Sequence, residues 1–203
     1  MEIERKWMVS GWPSLDESIL PLTGTEYQEQ GYVHTHAPIV RIRLEARIDG
    51  KEGGGESAMH GGVSGAGESA KSAGSFTQAV RESVSVDNAH HILCFKSAGL
   101  LSREEIEIEV SREDFERLSG LIGQPLIRKV RRIYQLPEDL ELEVNLVDEG
   151  LPTEFMYAEI EFKDEAQARA WDPACCALGE YLTEDVTEKP GQSMSTFWEK
   201  TRG

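Results

Sequence analysis

The chain opens Met1-Glu2-Ile3-Glu4-Arg5-Lys6-Trp7, and how residues 2–7 are read decides the fold. On a strand, successive side chains point to opposite faces. Glu2, Glu4 and Lys6 then share one face, and Ile3, Arg5 and Trp7 share the other. Two carboxylates and an ammonium in a row suit a divalent cation held together with an anion. Hard cations take oxygen ligands, and Lys grips phosphate as a point charge. For one isolated strand, a solvated face with Lys6 between its neighbours is the simpler account. Recurrence decides between the two.

The alternation does recur. Residues 39–48 set Val40, Ile42, Leu44, Ala46 and Ile48 against Arg41, Arg43, Glu45 and Arg47. Residues 103–110 read as one strand with Arg103, Glu105, Glu107 and Glu109 opposite Ile106, Ile108 and Val110. Residues 127–135 carry Lys129 and Arg131 on one face, with Arg128, Val130, Arg132 and Tyr134 on the other. Residues 140–147 oppose Glu141, Glu143 and Asn145 to Leu142, Val144 and Leu146. Residues 156–163 oppose Tyr157, Glu159, Glu161 and Lys163 to Ala158, Ile160 and Phe162. Two further strands are expected at 26–33, with Gln28, Gln30 and Tyr32 together, and at 90–97, where Lys96 shares a face with Ile92 and Cys94.

Helices fill the gaps. Ser111 with Asp114 three positions on signals an N-cap, and Gly123 ends a helix over 112–122 whose stripe is Phe115, Leu118 and Leu121 or Ile122. Asp164 caps a helix to about Trp171, which Asp172-Pro173 stops. Ser193 caps a last helix over 194–200, with Met194, Phe197 and Trp198 as its apolar side. Single helical turns are expected within 14–22 and 174–184, and 183–187 leads into a loop at Lys189-Pro190-Gly191.

Residues 50–75 differ in kind. Nine of the 19 glycines fall there, among Ser and Ala, and no core can be built from such a stretch. We read 1–203 as a single domain with a flexible Gly/Ser-rich insertion at 50–89. Gly53-Gly54-Gly55 lacks the Lys-Ser/Thr of a P-loop, so a tether is the better reading. Phe76, Val80 and Val84 have helical spacing. His34 and His36 are metal ligands by type, but two histidines in a turn are more often solvated.

Composition narrows the function. A net charge of −16 argues against nucleic-acid binding, which needs a basic surface. Cys94, Cys175 and Cys176 form no disulfide framework or zinc-ligand spacing. The N-terminus lacks the apolar core of a signal peptide, and no apolar run is long enough to cross a bilayer. The expectation is a cytoplasmic protein with no membrane partner.

The charged faces consist almost wholly of Glu, Arg and Lys, in tight pairs: Glu2/Glu4, Arg41/Arg43, Glu105/Glu107, Lys129/Arg131, Glu141/Glu143 and Glu159/Glu161. A solvent-facing sheet face normally mixes these with Thr, Ser and Gln. Long hairpin-joined strands can close into a barrel. With the charged faces inward, carboxylates gather divalent metal while Arg and Lys grip phosphoryl oxygens. The outward apolar faces then need the helices as cover. The expected class is α+β: a closed antiparallel β-barrel with a charged lumen and peripheral helices.

The order Glu2-x-Glu4-x-Lys6, Gln30-Gly31-Tyr32, Arg41-x-Arg43, Lys96 before a turn, Arg103-x-Glu105-x-Glu107, Lys129-x-Arg131, Glu141-x-Glu143 and Glu159-x-Glu161 resembles the CYTH superfamily, or triphosphate tunnel metalloenzymes. The resemblance spans nearly the whole chain apart from 50–89. It implies metal-dependent triphosphate hydrolysis with Mg²⁺ or Mn²⁺, inorganic tripolyphosphate being the leading substrate. Adenylate cyclase, thiamine-triphosphatase and a non-catalytic polyphosphate-binding module are the alternatives, and a homodimer is one assembly it allows. By that likeness Glu2, Glu4, Glu159 and Glu161 hold metal, helped by Glu143, Glu105 and Glu107. Arg41, Arg43, Lys96, Lys129, Arg131 and Arg103 bind substrate. Lys6, Glu4 and Glu2 carry the catalysis: a second metal, or a carboxylate near Glu2/Glu4, orients the water, and Lys6 with the arginines stabilises transition-state charge. One departure stands out. Where many relatives carry Arg/Lys-Tyr-x-Asn, this chain has Pro190-Gly191-Gln192-Ser193-Met194, with Lys189 before it.

Overall fold

The computed structural model describes residues 1–48, 75–84 and 89–203. Most of the expected insertion therefore lies outside the described residues. Ten strands run β1 (Glu2–Val9), β2 (Leu22–His34), β3 (Ile39–Ile48), β4 (Ala89–Lys96), β5 (Ser102–Arg103), β6 (Glu105–Glu109), β7 (Ile127–Gln135), β8 (Glu141–Val147), β9 (Phe155–Glu161) and β10 (Glu184–Asp185). Four helices accompany them: α1 (Phe76–Ser83), α2 (Arg112–Ile122), α3 (Glu165–Ala170) and α4 (Met194–Arg202).

All pairings are antiparallel, in the order β10-β1-β9-β8-β7-β2-β3-β4-β6. The free edge of β1 is shared. β5 pairs with Glu2 and Ile3, and β10 pairs with Trp7 and Met8. Because β5 runs on into β6 at the other end of the sheet, the sheet curls into a nearly closed barrel.

The expected strand over 103–110 is in fact two. Glu104 is pinned to Ser97, its N–H donating to Ser97 Oγ at 2.9 Å and its carbonyl accepting from Ser97 N–H at 2.9 Å. The chain pivots there, leaving Arg103 on β1 and Glu105 on β4. β10, where no strand is expected, is the second departure. It forms because Arg5 binds Asp185 at 2.6 Å and Val186 N–H donates to the Lys6 carbonyl at 2.8 Å. Residues 16–20 make one turn on the Asp16 carbonyl, and Pro173–Cys176 is a short 3₁₀ turn.

The apolar faces point outward and are covered. Ile3, Trp7, Leu142, Val144, Ala158 and Ile160 pack beneath residues from α3 and from the segments around Leu20, Leu178 and Leu182. Tyr27 and Val130 pack under Val80 of α1, with Phe76 and Val84 beside them, which bears out the helical spacing of those three residues. α2 starts at Ser111, whose hydroxyl accepts from Asp114 N–H, and ends at Gly123 in the left-handed region (φ 67°). Ile122, not Leu121, completes its buried stripe; Leu121 is 84% exposed.

One end of the barrel is filled. Tyr32, Ile127, Val147 and Tyr157 cluster there with Trp198, and Met194 and Phe197 pack against them. α4 is thus the cover of that end, and a buried ion pair ties it down. Arg202 Nη2 lies 2.6 Å from Asp148 Oδ2, and the Asp148 side chain is 1% exposed. Asp148 sits at φ 52° in the β8–β9 connection and also accepts from Thr153 Oγ1 at 3.0 Å. No helix among the described residues is long and apolar enough to cross a membrane.

Removing one partner of a buried pair leaves the other charge uncompensated, at a cost of about 3 kcal/mol or more. Arg202→Ala is therefore expected to lower the unfolding free energy by about that amount in urea titrations. The Arg202→Ala/Asp148→Ala double variant should fall well short of the two single losses added together.

Candidate active site

The inward face of the barrel surrounds a cavity of about 400 Å³. It is lined by Glu2, Glu4, Lys6, Arg41, Arg43, Lys96, Arg103, Glu105, Glu107, Lys129, Arg131, Glu143, Glu159 and Glu161, so every site residue expected from the sequence reaches one chamber. Register explains the convergence. Residues directly opposite on paired strands share a face. Glu4 stands opposite Glu161 and Lys6 opposite Glu159, while Arg41 stands opposite Cys94, which stands opposite Glu107.

The chamber charges are paired across strands. At the seam, Arg103 Nε binds Glu2 at 2.6 Å and its Nη2 binds Glu4 at 2.7 Å. Lys96 Nζ bridges Glu2 at 3.1 Å and Glu105 at 2.9 Å. Arg41 reaches Glu105 at 3.4 Å and Glu107 at 3.3 Å, and Arg43 binds Glu107 at 2.9 Å. Arg131 binds Glu143 at 2.9 Å between β7 and β8, and Lys6 binds Glu159 at 3.2 Å between β1 and β9. Lys129 is nearly inaccessible and donates to Tyr157 Oη at 3.1 Å.

Pairing does not neutralise every group equally. Burial raises Glu4, and the Glu159 and Glu2 charges raise it further; Arg103 and Lys96 oppose them, and the result is a pKa of about 7. Burial raises Glu143, with Glu159 and Glu26 adding to the effect against Arg131. Burial also works against ionisation of Glu105, but hydrogen bonding to Glu2 and Cys94 and the Lys96 ammonium outweigh it and bring its pKa down to about 2. Burial, followed by the Arg131 charge, pushes Lys129 well below the usual lysine range. A carboxylate held up to about 7 by crowding and burial is a group that an added cation would relax.

Glu2, Glu4, Glu159 and Glu161 share one wall across β1 and β9, with the oxygen donors that hard divalent cations prefer. Their oxygens are not drawn together into a cage, because Arg103, Lys96 and Lys6 hold Glu2, Glu4 and Glu159. Among the described residues, three ligand atoms come within 4.8 Å of one another only at Cys94, Glu105 and Glu107. Cys94 escaped the sequence reading because a lone Cys among apolar strand residues carries no signal. Tyr157 was placed on the right face but given no role, although its ring lies 3.7 Å from Lys6 Nζ. Gln28, Gln30 and Asn145 are also fully buried, each with a side-chain polar atom unpaired.

The atypical segment contributes too. Lys189, Gln192, Ser193, Met194 and Ser195 line the chamber, so hydroxyls and an amide stand there. Lys189 supplies little, being more than half exposed and 3.7 Å from Glu184. Trp12 lies outside the barrel, over Arg132, and Tyr27 lies under α1, whereas Tyr32 lines the chamber. His34 is exposed and bonded to the carbonyls of His36 and Pro38.

No protein-family model matches the chain. The sequence is similar to that of an inorganic triphosphatase. That protein, from Nitrosomonas europaea, is 27% identical over 188 residues, which is 93% of each chain. A solved structure of an inorganic triphosphatase matches with a TM-score of 0.50 and 21% identity, covering 97% of this chain and 96% of that one. The structural match shows the fold: a nearly closed antiparallel barrel with helices around it.

Glu4 supplies a pH test in metal-free protein. Its folded pKa lies above the unfolded value of about 4.3. Its ionisation therefore costs stability as pH rises between the two values, and the full cost stands above pH 7 or so. Glu4→Gln is expected to raise Tm at pH 8 in the presence of chelator. That advantage should shrink as pH falls toward 5, as measured by thermal scans at each pH.

Proposed function

We propose that this protein hydrolyses a triphosphate, inorganic tripolyphosphate foremost, in a divalent-metal-dependent reaction within the barrel, as a member of the triphosphate tunnel family. The observation that carries this reading is the convergence of Lys6, Arg41, Arg43, Lys96, Arg103, Lys129 and Arg131 with seven carboxylates on one chamber. The likeness to the Nitrosomonas europaea inorganic triphosphatase over 93% of both chains supports it.

The chemistry follows from charge. Phosphoryl transfer asks mainly for positioning and for neutralisation of non-bridging oxygens. Arg41, Arg43 and Arg131 offer planar donor forks suited to phosphate, and Lys96 and Lys129 offer point charges. Each is now held by a protein acceptor, so an entering polyanion exchanges partners instead of meeting bare charge. Glu2, Glu4, Glu159 and Glu161, with help from Glu105, Glu107 and Glu143, would hold Mg²⁺ or Mn²⁺, which would supply positive charge against the phosphate oxygens. Arg103 must release Glu2 and Glu4 for that set to form, and it then becomes free to face the substrate. Glu4 or Glu2 orients the attacking water, and Lys6 stabilises charge on the transferring group.

Substrate choice rests on what is missing from the walls. Tyr32 and Tyr157 are the aromatic side chains among the described lining residues, and both are engaged in the apolar cluster at the closed end. A nucleobase or thiazolium ring therefore has no free face to stack on there. Tripolyphosphate with Mg²⁺ or Mn²⁺ is expected to release orthophosphate faster than ATP or thiamine triphosphate in parallel assays. Cyclic AMP with pyrophosphate from ATP would favour the cyclase reading. Tight tripolyphosphate binding without turnover under either metal would favour a binding module.

Lys6→Ala and Glu4→Gln should each lower kcat/KM by about 10²-fold, the scale for losing one preorganised electrostatic contact, while the fold is kept. Full activity of either variant at saturating metal overturns the site assignment. Glu159→Gln should raise the metal concentration needed for half-maximal rate more than it raises KM.

A further inference from the structure

Tyr157 belongs both to the apolar packing and to the charged chamber. Its ring belongs to the apolar cluster at the closed end, packed beside Phe155 at 5.8 Å between centroids. Its other surfaces meet cations. Lys6 Nζ sits 3.7 Å from the ring centroid, and Lys129 Nζ donates to Tyr157 Oη at 3.1 Å. The side chain is 1% exposed. It lies on β9 opposite Met8 of β1 and Asn145 of β8, between the strands that bring Lys6 and Lys129 inward.

We propose that Tyr157 is a positioning residue: it sets where the Lys6 and Lys129 ammonium groups meet the substrate, without cancelling the charge of either. This rests on the triphosphatase reading above. A carboxylate in this place would pair with both lysines and add a partner that the polyanion has to displace, as it has to displace Glu107 from Arg41 and Arg43. An aliphatic side chain would leave the buried Lys129 without its acceptor, at the cost of an unsatisfied charged donor. Tyrosine avoids both outcomes. The negative face of its π-system attracts the Lys6 ammonium, its hydroxyl accepts one hydrogen bond from Lys129, and its net charge is zero. Because the ring is wedged against Phe155 and the cluster around Trp198, the two ammonium groups are referred to one rigid plane. Lys6 has Glu159 as a second tether at 3.2 Å, whereas the hydroxyl is the hydrogen-bond acceptor recorded for Lys129.

The two contacts can be separated. Tyr157→Phe keeps the ring and removes the hydroxyl; Tyr157→Leu removes both. In protein labelled with ¹³C-lysine, the Lys6 ε-CH₂ signal, assigned by its loss in Lys6→Arg, is expected upfield from the ring current. It should stay there in Tyr157→Phe and return to the ordinary lysine position in Tyr157→Leu. With tripolyphosphate and Mg²⁺, Tyr157→Phe should raise KM severalfold and keep kcat. Tyr157→Leu should lower kcat/KM between about threefold and thirtyfold below Tyr157→Phe, the range for a desolvated cation–π contact. A Lys6 signal unmoved in Tyr157→Leu, or kcat/KM within twofold of the parent in both variants, overturns the proposal. If Tyr157→Leu fails to fold, Tyr157→Phe decides alone: an unchanged KM overturns it and a raised KM at constant kcat supports it. If the parent protein does not turn over tripolyphosphate, the triphosphatase reading fails, while the Lys6 signal in the two variants still tests the placement.

Discussion

Where the curled sheet meets itself, Arg103 and Lys96 hold Glu2 and Glu4 across the seam, Lys96 ties in Glu105 beside it, and these ion pairs set how the two ends of the sheet face each other over the chamber. The strands there come from the N-terminus and from the middle of the chain. Backbone pairing across the seam amounts to two register pairs, Glu2 with Arg103 and Ile3 with Ser102. Side-chain charge does what the ladder does elsewhere. Each close pair gains about 4 kcal/mol of Coulomb energy at an intermediate dielectric, but desolvation takes back most or all of it. The seam network therefore specifies how the ends meet more than it stabilises their meeting.

Stability has to come from elsewhere, and its source is the outer face. Apolar burial contributes roughly 25 cal/mol per Å². Most of the side chains that supply it, among them Ile3, Trp7, Leu142 and Ile160, point away from the chamber. This inverts the usual small barrel, whose interior is filled by apolar side chains. The inversion explains why helices and loops wrap the outside: each covers a strip of sheet that would otherwise face water. β6 is left largely uncovered among the described residues, with Ile106 and Ile108 61% and 47% exposed.

The same division separates binding from folding. The chamber holds carboxylates and cations that satisfy one another for now and can exchange partners when a polyanion and a cation enter. Such exchange is cheap only if the scaffold does not rely on those pairs, and the outer clusters provide that independence. α4 ties the two layers together. Its apolar side fills the end of the barrel, Ser193 and Ser195 from its first turn line the chamber, and Arg202 at its other end locks onto Asp148.

Much of this was legible in the residues. Alternation over 39–48, 127–135 and 156–163 identified strands and faces, because side-chain direction on a strand is a local, period-2 property. Helix caps at Ser111, Asp164 and Ser193 were readable for the same reason: each is a contact within four residues. The choice of inward over outward for the charged faces followed from their purity, Glu, Arg and Lys with little else. The break at Glu104 was invisible, since both halves of 103–109 keep the alternation and only Ser97, seven residues away, forces the pivot. Strand β10 was equally hidden, because two residues carry no periodicity and its partner Arg5 lies 180 positions off. The sequence by itself determined which side chains share a face and what ligand chemistry they offer. Only the tertiary structure decided which carboxylates are held by which cations, that Tyr157 lies between Lys6 and Lys129, and that one end of the barrel is filled, because those facts arise from ring closure between strands that no local pattern connects.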